Sequence, residues 1–388
     1  GYVGSTITSL IYASFTFIFF AIETAIWAQA LELALGLNIV VGYLLCSLVI
    51  IPIVFFGVTA INRLQVWTQP LWIVMMVLPL AFILIKQPQL LQAWTAFEGS
   101  VSGANWLLFG AATGVLFSLV GQIGEQADYL RFLPERTAAN RRAWWSAMLA
   151  SGPGWIVIGA LKICAGSLLA VLALRMGSSA AQATEPVRLY LHAYQQLVGD
   201  PALALGLAAV FVSLSQVKIN VTNAYSGSLA WSNCFVRLAH YHPGRVVWLV
   251  FNVVIALLLS LLGIFETLQA VLSVYSTVAI AWIGALVADL VVLKPAGISP
   301  PYIELKRAHL YDFNPVGCGA TLIASAVAIG AYAGALGPVA QAFFGFIALG
   351  VAIVSAIVIA YATRGRYYIA RADAHYRHLK PDTLVECS

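Results

Sequence analysis

Residues 14–33 read SFTFIFFAIETAIWAQALEL, and this stretch has the two properties that decide the fold class. It is long and apolar enough to cross the hydrocarbon core of a bilayer, which takes about 20 residues of α-helix. It also holds a carboxylate, Glu23, near mid-length, where a charge is costly in lipid. A spanning helix with a polar residue at mid-depth is typical of a membrane protein with an interior binding site.

The composition extends this prediction to the whole chain. Of 388 residues, 61% are hydrophobic and 9% are charged, whereas a soluble domain has about 25% charged residues. Such a chain cannot cover itself with a water-facing surface, so its outer face is expected to meet lipid. The net charge of +5 is therefore not the sign of a nucleic-acid-binding surface, and we expect no nucleic-acid partner.

Ten stretches are apolar over the length of a membrane helix, which predicts an all-α polytopic membrane protein. They are far longer than the roughly 10 alternating residues of a barrel strand. The predicted spans are residues 6–34, 38–58, 66–85, 105–123, 144–173, 201–231, 246–265, 268–293, 315–335 and 340–363.

The positions of the basic residues predict the orientation of these spans. With the Arg-rich loop 124–143 assigned to the cytoplasm, 15 of the 20 Lys and Arg residues fall on that side. Three fall on the other side and two fall within spans. This asymmetry follows the positive-inside rule. It predicts an integral protein of the cytoplasmic (inner) membrane with both ends of the sequence in the cytoplasm.

Two segments outside the spans also have a predicted structure. The outer loop 174–200 has the spacing of a short amphipathic helix along the interface. Residues 1–363 form the predicted transmembrane domain, and residues 364–388 form a basic cytoplasmic tail. The sequence begins and ends abruptly, so we expect a piece of a longer protein, with room for a cytoplasmic signalling domain after the tail.

Phe19 and Glu23 lie one turn apart on the first span and form the first candidate site. An aromatic ring beside a hydrogen-bonding carboxylate is suited to a flat heterocyclic ligand, because the ring offers stacking and the acid orients a donor. In the alternative interpretation Glu23 pairs with an interior lysine purely for packing. Lys162 and Lys218 both lie within spans, and the sequence leaves open which of them faces Glu23.

The fourth span is rich in glycine, which predicts a break in the helix near residues 114–121. Broken helices at mid-membrane are a common way for transporters to expose backbone groups to a solute. Gln122 follows the break and is a candidate ligand contact. Alternatively, the glycines are small-residue packing positions. They are Gly110, Gly114, Gly121 and Gly124.

The sixth span carries a polar stripe on one helix face, which comprises Ser213, Gln216, Asn220, Asn223 and Gly227. Asn220 and Asn223 are the candidate ligand contacts on this stripe. Lys218 lies well off the stripe and is therefore expected to serve a different neighbour.

The sequence offers little for a catalytic function. The six histidines lie in predicted loops or the tail, without metal-ligand spacing, and there is no phosphate-binding GxxxxGK[ST] motif. We therefore predict that the protein is not an enzyme and has no cofactor and no metal site.

Three stretches together resemble the nucleobase–cation symporter family, which comprises purine–cytosine permeases and their hydantoin and allantoin relatives. They are FFAIET (19–24), ADYLRF (127–132) and TNAYSGSLAWSN (222–233). The resemblance implies a twelve-helix fold with two inverted five-helix repeats, of which this chain lacks the first two helices. It also implies a secondary transporter for a small heterocyclic solute.

The resemblance also assigns roles to particular residues. Phe19 stands where the family has a stacking Trp, and Glu23 stands where it has an amide-binding Gln. Asn223 matches the substrate-binding Asn of the family. The second stacking aromatic falls near Phe117 or Leu119, and Phe117 is the better physical candidate.

One departure from the family pattern concerns the coupling ion. The Ser/Thr pair that binds sodium in the family is replaced by Val217 and Lys218. A valine side chain cannot coordinate sodium, and an ammonium group takes the place of the cation. The sequence therefore predicts transport that is not sodium-coupled. The alternative is a transporter-like sensor that is read out by a cytoplasmic signalling module.

Overall fold

The computed structural model describes residues 1–99, 103–239, 243–264 and 267–370, and within these ranges it contains helices and no strands. A π-helix, Ala288–Leu293, extends α12, and Phe117–Gly121 is a 3₁₀ segment between α5 and α6. The α-helices are α1 Ser5–Leu35, α2 Ile39–Phe55, α3 Val58–Lys86, α4 Pro88–Thr95, α5 Trp106–Leu116, α6 Gln122–Leu130, α7 Arg141–Ser151, α8 Gly154–Arg175, α9 Pro186–Leu197, α10 Pro201–Ala239, α11 Arg245–Leu261, α12 Leu268–Val287, α13 Pro315–Tyr332, α14 Pro338–Ala342 and α15 Phe344–Ala362.

Eight helical segments in the described part of the chain are long and apolar enough to cross a membrane. The predicted class, an all-helical protein with transmembrane helices, is therefore confirmed. The second and seventh predicted spans are the apolar helices α2 and α11, with 17 residues each. At 1.5 Å per residue they measure about 26 Å, slightly less than a hydrocarbon core of about 30 Å. The count of ten spans stays a prediction.

Helix boundaries differ from the prediction where polar residues continue a helix. The third predicted span, residues 66–85, begins eight residues earlier as α3, directly after Gly57, whose φ of +78° ends the preceding turn. The fifth, residues 144–173, is divided into α7 and α8 at Gly152 and Pro153. Proline cannot donate a backbone hydrogen bond, so it favours a new helix start at this point.

The largest apolar cluster is built around α1, which packs against α2, α10 and α11. Two of the pairs in this cluster are shown to be antiparallel by contacts between opposite helix ends, α1 with α10 and α2 with α11. Arg237 near the end of α10 donates to the carbonyl of Tyr2, just before α1, over 3.3 Å. Arg245 at the start of α11 donates to the carbonyl of Val54 near the end of α2 over 3.2 Å. A second unit, α12, α13 and α15, packs through alanines such as Ala281, as is common between membrane helices.

The predicted cytoplasmic ends of several helices lie together at one face of the molecule. The amide of Tyr2 donates to the carbonyl of Tyr311 before α13 (2.8 Å), and the amide of Ala370 after α15 donates to the carbonyl of His309 (2.8 Å). Arg237 at the end of α10 reaches the same face. This arrangement agrees with the alternation of spans. That the face is cytoplasmic stays a prediction.

The predicted helix in the loop 174–200 is present as α9. Its Tyr194 hydroxyl donates to the carbonyl of Met75 in α3 over 2.7 Å, and the ring of Tyr190 lies 4.4 Å from that of Phe211 in α10. The helix thus covers one end of the α3–α10 pair. Most of the predicted basic tail, residues 371–388, lies outside the described residues.

A labelling experiment tests the predicted orientation. In a background in which the native cysteines are replaced, a cysteine introduced at exposed Glu135 should react with a membrane-impermeant maleimide only after the cytoplasmic face is opened. A cysteine at exposed Ala180, on the opposite side by the same prediction, is the matched control and should react in intact cells. The reverse pattern would invert the topology.

Candidate functional site

The two predicted asparagines of α10 lie together against α1. Asn220 is fully buried, and its amide donates to the carbonyl of Phe20 (3.4 Å) and the hydroxyl of Thr24 (3.2 Å). Asn223, one turn later, donates to the amide oxygen of Asn220 over 3.3 Å. Asn220 therefore joins the two helices across the interior. Its amide nitrogen is already used by the protein.

Glu23 lies beside this pair on α1, and its side chain is partly accessible. Its carboxyl group is within hydrogen-bonding reach of Gln216 of α10 and within electrostatic range of Lys162 of α8. Of the two lysines that the sequence leaves open, Lys162 lies within electrostatic range of Glu23, whereas the ammonium of Lys218 is bonded to α3. Lys162 also lies over the ring of Trp72, 5.5 Å from its centroid.

Phe19 belongs to an aromatic group on the same face of α1. Its ring centroid lies 4.6 Å from that of Phe15, and Phe15 lies 6.4 Å from Tyr275 of α12. Phe19 and Glu23 are one turn apart, as predicted, so an apolar plate borders a carboxylate. The role of this pair in ligand binding stays a prediction.

Phe117 lies at the start of the 3₁₀ segment, and its ring faces α15. It meets the ring of Phe346 edge-on at 5.0 Å, and a side chain at Gly345 would collide with it. The contacts described for this ring do not join it to Phe19. Leu119, the other candidate, is exposed. A stacking role for Phe117 therefore stays a prediction, and in this conformation the ring fills a packing position.

At the predicted break the fourth span changes helix type but stays helical: α5 ends at Leu116, a 3₁₀ segment follows, and α6 begins at Gln122, within one helical segment Trp106–Leu130. An unwound break is therefore not present in this conformation. The packing interpretation of the glycines holds. A Cβ on Gly121 would lie 2.6 Å from the ring of Phe15, and one on Gly124 would lie 2.8 Å from the ring of Tyr12. Gln122, a predicted ligand contact, starts α6 with a partly exposed side chain.

As predicted, Lys218 and the polar stripe contact different helices: Lys218 bonds to α3, whereas Asn220 of the stripe bonds to α1. Its ammonium donates to the carbonyl of Gln65 and the hydroxyl of Thr68 in α3, each over 3.1 Å. In return the Gln65 amide donates to the carbonyl of Lys218 over 2.7 Å. Within the described part of the chain no carboxylate lies within 4 Å of this ammonium. Val217, next to it, is partly buried against the main apolar cluster.

One buried polar group near the site was not predicted. The Asn252 side-chain oxygen in α11 accepts from Trp231 (3.0 Å) and from Thr16 (3.2 Å). Gly227 of the polar stripe permits this approach, because a Cβ there would lie 2.5 Å from Asn252. The signal was available, since Asn252 is a lone amide in the apolar stretch RVVWLVFNVVIALLLSL.

The described residues hold no group of three or more His, Cys, Asp or Glu side chains placed to bind a metal ion. Comparison of the chain with protein-family models, curated proteins and solved structures finds no match. The functional assignment therefore rests on the geometry around Phe19 and Glu23, together with the resemblance of the three sequence stretches.

Proposed function

We propose that the chain is a secondary transporter for a nucleobase-like heterocycle of the purine, pyrimidine, hydantoin or allantoin class. It works by alternating access between the two sides of the membrane. The observation that carries the proposal is the meeting of Phe19, Glu23 and Gln216 in the interior of a helical membrane protein, with Glu23 still partly accessible.

The hydrogen-bonding groups at this point suit a ring that carries N–H donors. The side-chain oxygen of Gln216 is buried and has no hydrogen-bond partner, and buried acceptors are normally paired. The carboxylate of Glu23 is a second acceptor beside it. A heterocyclic amide or ureide presents two such donors on one flat edge, while Phe19 offers a surface for stacking.

The helix arrangement supports an alternating-access mechanism. In a twelve-helix fold with two five-helix repeats, α1 and α2 would be helices three and four, and α10 and α11 would be helices eight and nine. In such a fold helix three is equivalent to helix eight, and helix four is equivalent to helix nine. The helices assigned to these positions are antiparallel, because α1 runs antiparallel to α10 and α2 runs antiparallel to α11. Inverted repeats would produce this relation. The 3₁₀ segment between α5 and α6 packs on α1 and offers a hinge there.

The polar contacts around Lys218 support transport that is independent of sodium. Sodium needs several oxygen ligands, and neither Val217 nor Lys218 supplies one from its side chain. The ammonium of Lys218 instead donates hydrogen bonds to the carbonyl of Gln65 and the hydroxyl of Thr68. Both oxygens could otherwise coordinate a cation.

A transporter-like sensor is the second candidate, and one observation favours it. The chain that leaves α15 is attached to the loop before α13, since the Tyr367 ring lies 5.5 Å from that of Tyr311 and the Ala370 amide donates to His309. A movement of α13 would therefore be transmitted directly to the chain that follows α15. Uptake of a bound solute into proteoliposomes supports the transporter, whereas binding without uptake supports the sensor.

The test of ligand binding is a thermal-shift screen of the purified protein with uracil, cytosine, hypoxanthine, hydantoin and allantoin. We expect at least one of these compounds to raise the unfolding temperature, because a ligand that binds the folded state stabilises it. If none does so at millimolar concentration, the proposed function is wrong.

Phe19→Ala should weaken binding of the compound found by about 1–3 kcal/mol, or roughly 5- to 150-fold, through lost stacking area. Isothermal titration of the variant measures the change. Phe109→Ala is the control, because Phe109 is exposed on α5 and its loss should leave the affinity unchanged. An unaltered affinity for Phe19→Ala would remove this residue from the site.

A further inference from the structure

The corner between α6 and α7 carries a basic and aromatic surface that the proposed binding site does not use. Residues 131–151 contain four arginines and a single acid, Glu135. Arg131 lies 4.0 Å from the carboxylate of Asp128 and is therefore paired. For the other three, no carboxylate in the described part of the chain lies within 4 Å of the guanidinium. These three, which we call the arginine group, are the exposed residues Arg136, Arg141 and Arg142.

The guanidinium of Arg136 lies against two indole rings of α7. Its Cζ is 5.8 Å from the ring centroid of Trp144 and 5.9 Å from that of Trp145, which is within the range of a cation–π interaction. The two rings meet edge-on with centroids 5.2 Å apart, and Nε1 of Trp144 donates to the carbonyl of Pro134 over 2.9 Å. Arg141 lies one turn before both tryptophans on the same helix face. The arginine group is thus gathered at the first turn of α7.

Asn140 fixes the loop that carries Arg136. Its side-chain oxygen accepts from the amide of Thr137 over 2.7 Å, and its side-chain amide donates to the carbonyl of Glu135 over 2.8 Å. Arg136 lies between these two anchored positions. The loop is therefore held in one conformation before anything binds to it, and little backbone entropy would be lost on binding.

The lengths of α7 and α8 place this surface at the level of the lipid headgroups. α8 has 22 residues, or about 33 Å, which is enough to cross a hydrocarbon core of about 30 Å without α7. α7 adds 11 residues before it, and none of them is buried in the protein. Its sequence, RRAWWSAMLAS, passes from arginines through tryptophans to apolar residues. Headgroups, interface and hydrocarbon follow one another in the same order.

We propose that the arginine group binds the phosphate of an anionic phospholipid, with the exposed side of Trp145 against the upper part of its acyl chains. A guanidinium is weakly hydrated and presents its N–H groups in a fork that matches two phosphate oxygens. A zwitterionic lipid offers the same phosphate together with a cationic headgroup, which the arginine group repels. The proposal does not rest on the proposed transporter function.

A free anion is a poorer occupant of this surface than a lipid, because it would use only the charged part. Trp145 and Leu149 are one turn apart on the same face of α7 and are 41% and 53% exposed. These apolar side chains follow directly after the arginine group along the helix. A diacyl phospholipid supplies a phosphate for the charges and an acyl chain for the apolar face.

Thermal unfolding of the purified protein in detergent micelles tests the proposal without any transported solute. We expect phosphatidylglycerol to raise the unfolding temperature of the wild type, because a lipid that binds the folded state stabilises it. Phosphatidylcholine with the same acyl chains should have a much smaller effect. The variant Arg136→Gln, Arg141→Gln, Arg142→Gln should need roughly 100-fold more phosphatidylglycerol for the same shift, at about fivefold for each arginine. A wild type that phosphatidylglycerol does not stabilise overturns the proposal.

A control variant and a control anion separate a lipid site from a general effect of charge. Arg63→Gln, Lys86→Gln, Arg175→Gln removes three charges at other exposed positions and should keep the wild-type response. An equal loss in both triple variants, or no loss in either, overturns the proposal. Inorganic phosphate at the same ionic strength should leave the unfolding temperature of the wild type unchanged. Stabilisation by phosphate equal to that by the lipid would assign the surface to a free anion.

Quenching of tryptophan fluorescence provides a second measurement if the arginine variant does not fold. Phosphatidylglycerol with brominated acyl chains should quench the wild type at a lower mole fraction than brominated phosphatidylcholine, because it collects beside α7. This difference should disappear in Trp144→Phe, Trp145→Phe. It should persist in the control Trp67→Phe, Trp106→Phe, whose rings are exposed on α3 and α5. A difference that survives in the first variant contradicts the proposed location of the lipid.

Discussion

Replacing Glu23 by glutamine is expected to weaken binding of a ring with N–H donors by roughly 10- to 150-fold while the protein stays folded. The carboxylate accepts a hydrogen bond as a charged group, and such bonds contribute about 1.5–3 kcal/mol. Glutamine keeps the size and one acceptor oxygen but adds a donor. The preference should therefore move towards compounds that present a ring nitrogen or carbonyl acceptor at that edge.

The measurement compares affinities of the five screening compounds for the wild type, Glu23→Gln and Glu32→Gln. Glu32 lies on the same helix with an exposed side chain, so its substitution is the matched control and should leave the affinities unchanged. If Glu23→Gln fails to fold while Glu32→Gln folds, Glu23 has the structural role of a partner for Lys162, and the ligand-binding interpretation is contradicted.

Replacing Lys218 by alanine is expected to loosen the contact between α3 and α10 and to lower the stability of the protein by about 1.5–3 kcal/mol, the contribution of hydrogen bonds to a charged group. The two bonds from its ammonium are lost. The loss is limited, because Thr68 keeps its own bond to the carbonyl of Leu64, and the Gln65 amide still reaches the backbone carbonyl of residue 218.

Unfolding of the purified variants in detergent measures this change, with Lys86→Ala as the control. Lys86 is exposed at the end of α3, so its replacement should leave the stability unchanged. A Lys218→Ala protein as stable as the wild type would mean that desolvation of the ammonium offsets its hydrogen bonds. Replacing sodium by potassium or choline should leave ligand affinity unchanged, and a sodium-dependent gain would contradict the proposed role of Lys218.

The features that could be predicted from the sequence are those that depend on local pattern. Apolar length located the long apolar helices, the glycines located the 3₁₀ segment before Gln122, and the helical wheel separated Lys218 from Asn220. Each of these follows from residues within one helix, whose geometry fixes how side chains are distributed around its axis. The amphipathic spacing in the loop 174–200 located α9 for the same reason.

The features that could not be predicted depend on which helices meet. Lys218 and its partner Gln65 are 153 positions apart, and nothing in either helix identifies the other. The sequence placed Gln65 before the third span, whereas α3 already begins at Val58. The rotation that turns Phe117 towards Phe346 is likewise set by packing against α15. Of the two lysines within the predicted spans, only the assembled structure shows that Lys162 is the one within electrostatic range of Glu23.

The antiparallel pairing of α1 with α10 has a consequence for biogenesis. Asn220 and its acceptor on Phe20 are separated by 200 positions, and ribosomes add about 5–20 residues per second. The first helix is therefore made roughly 10–40 seconds before the helix that covers its polar face. During that interval Thr16, Glu23 and Thr24 lack their native neighbours. We therefore expect the insertion machinery to shield the polar face of α1 from lipid until α10 has been synthesised.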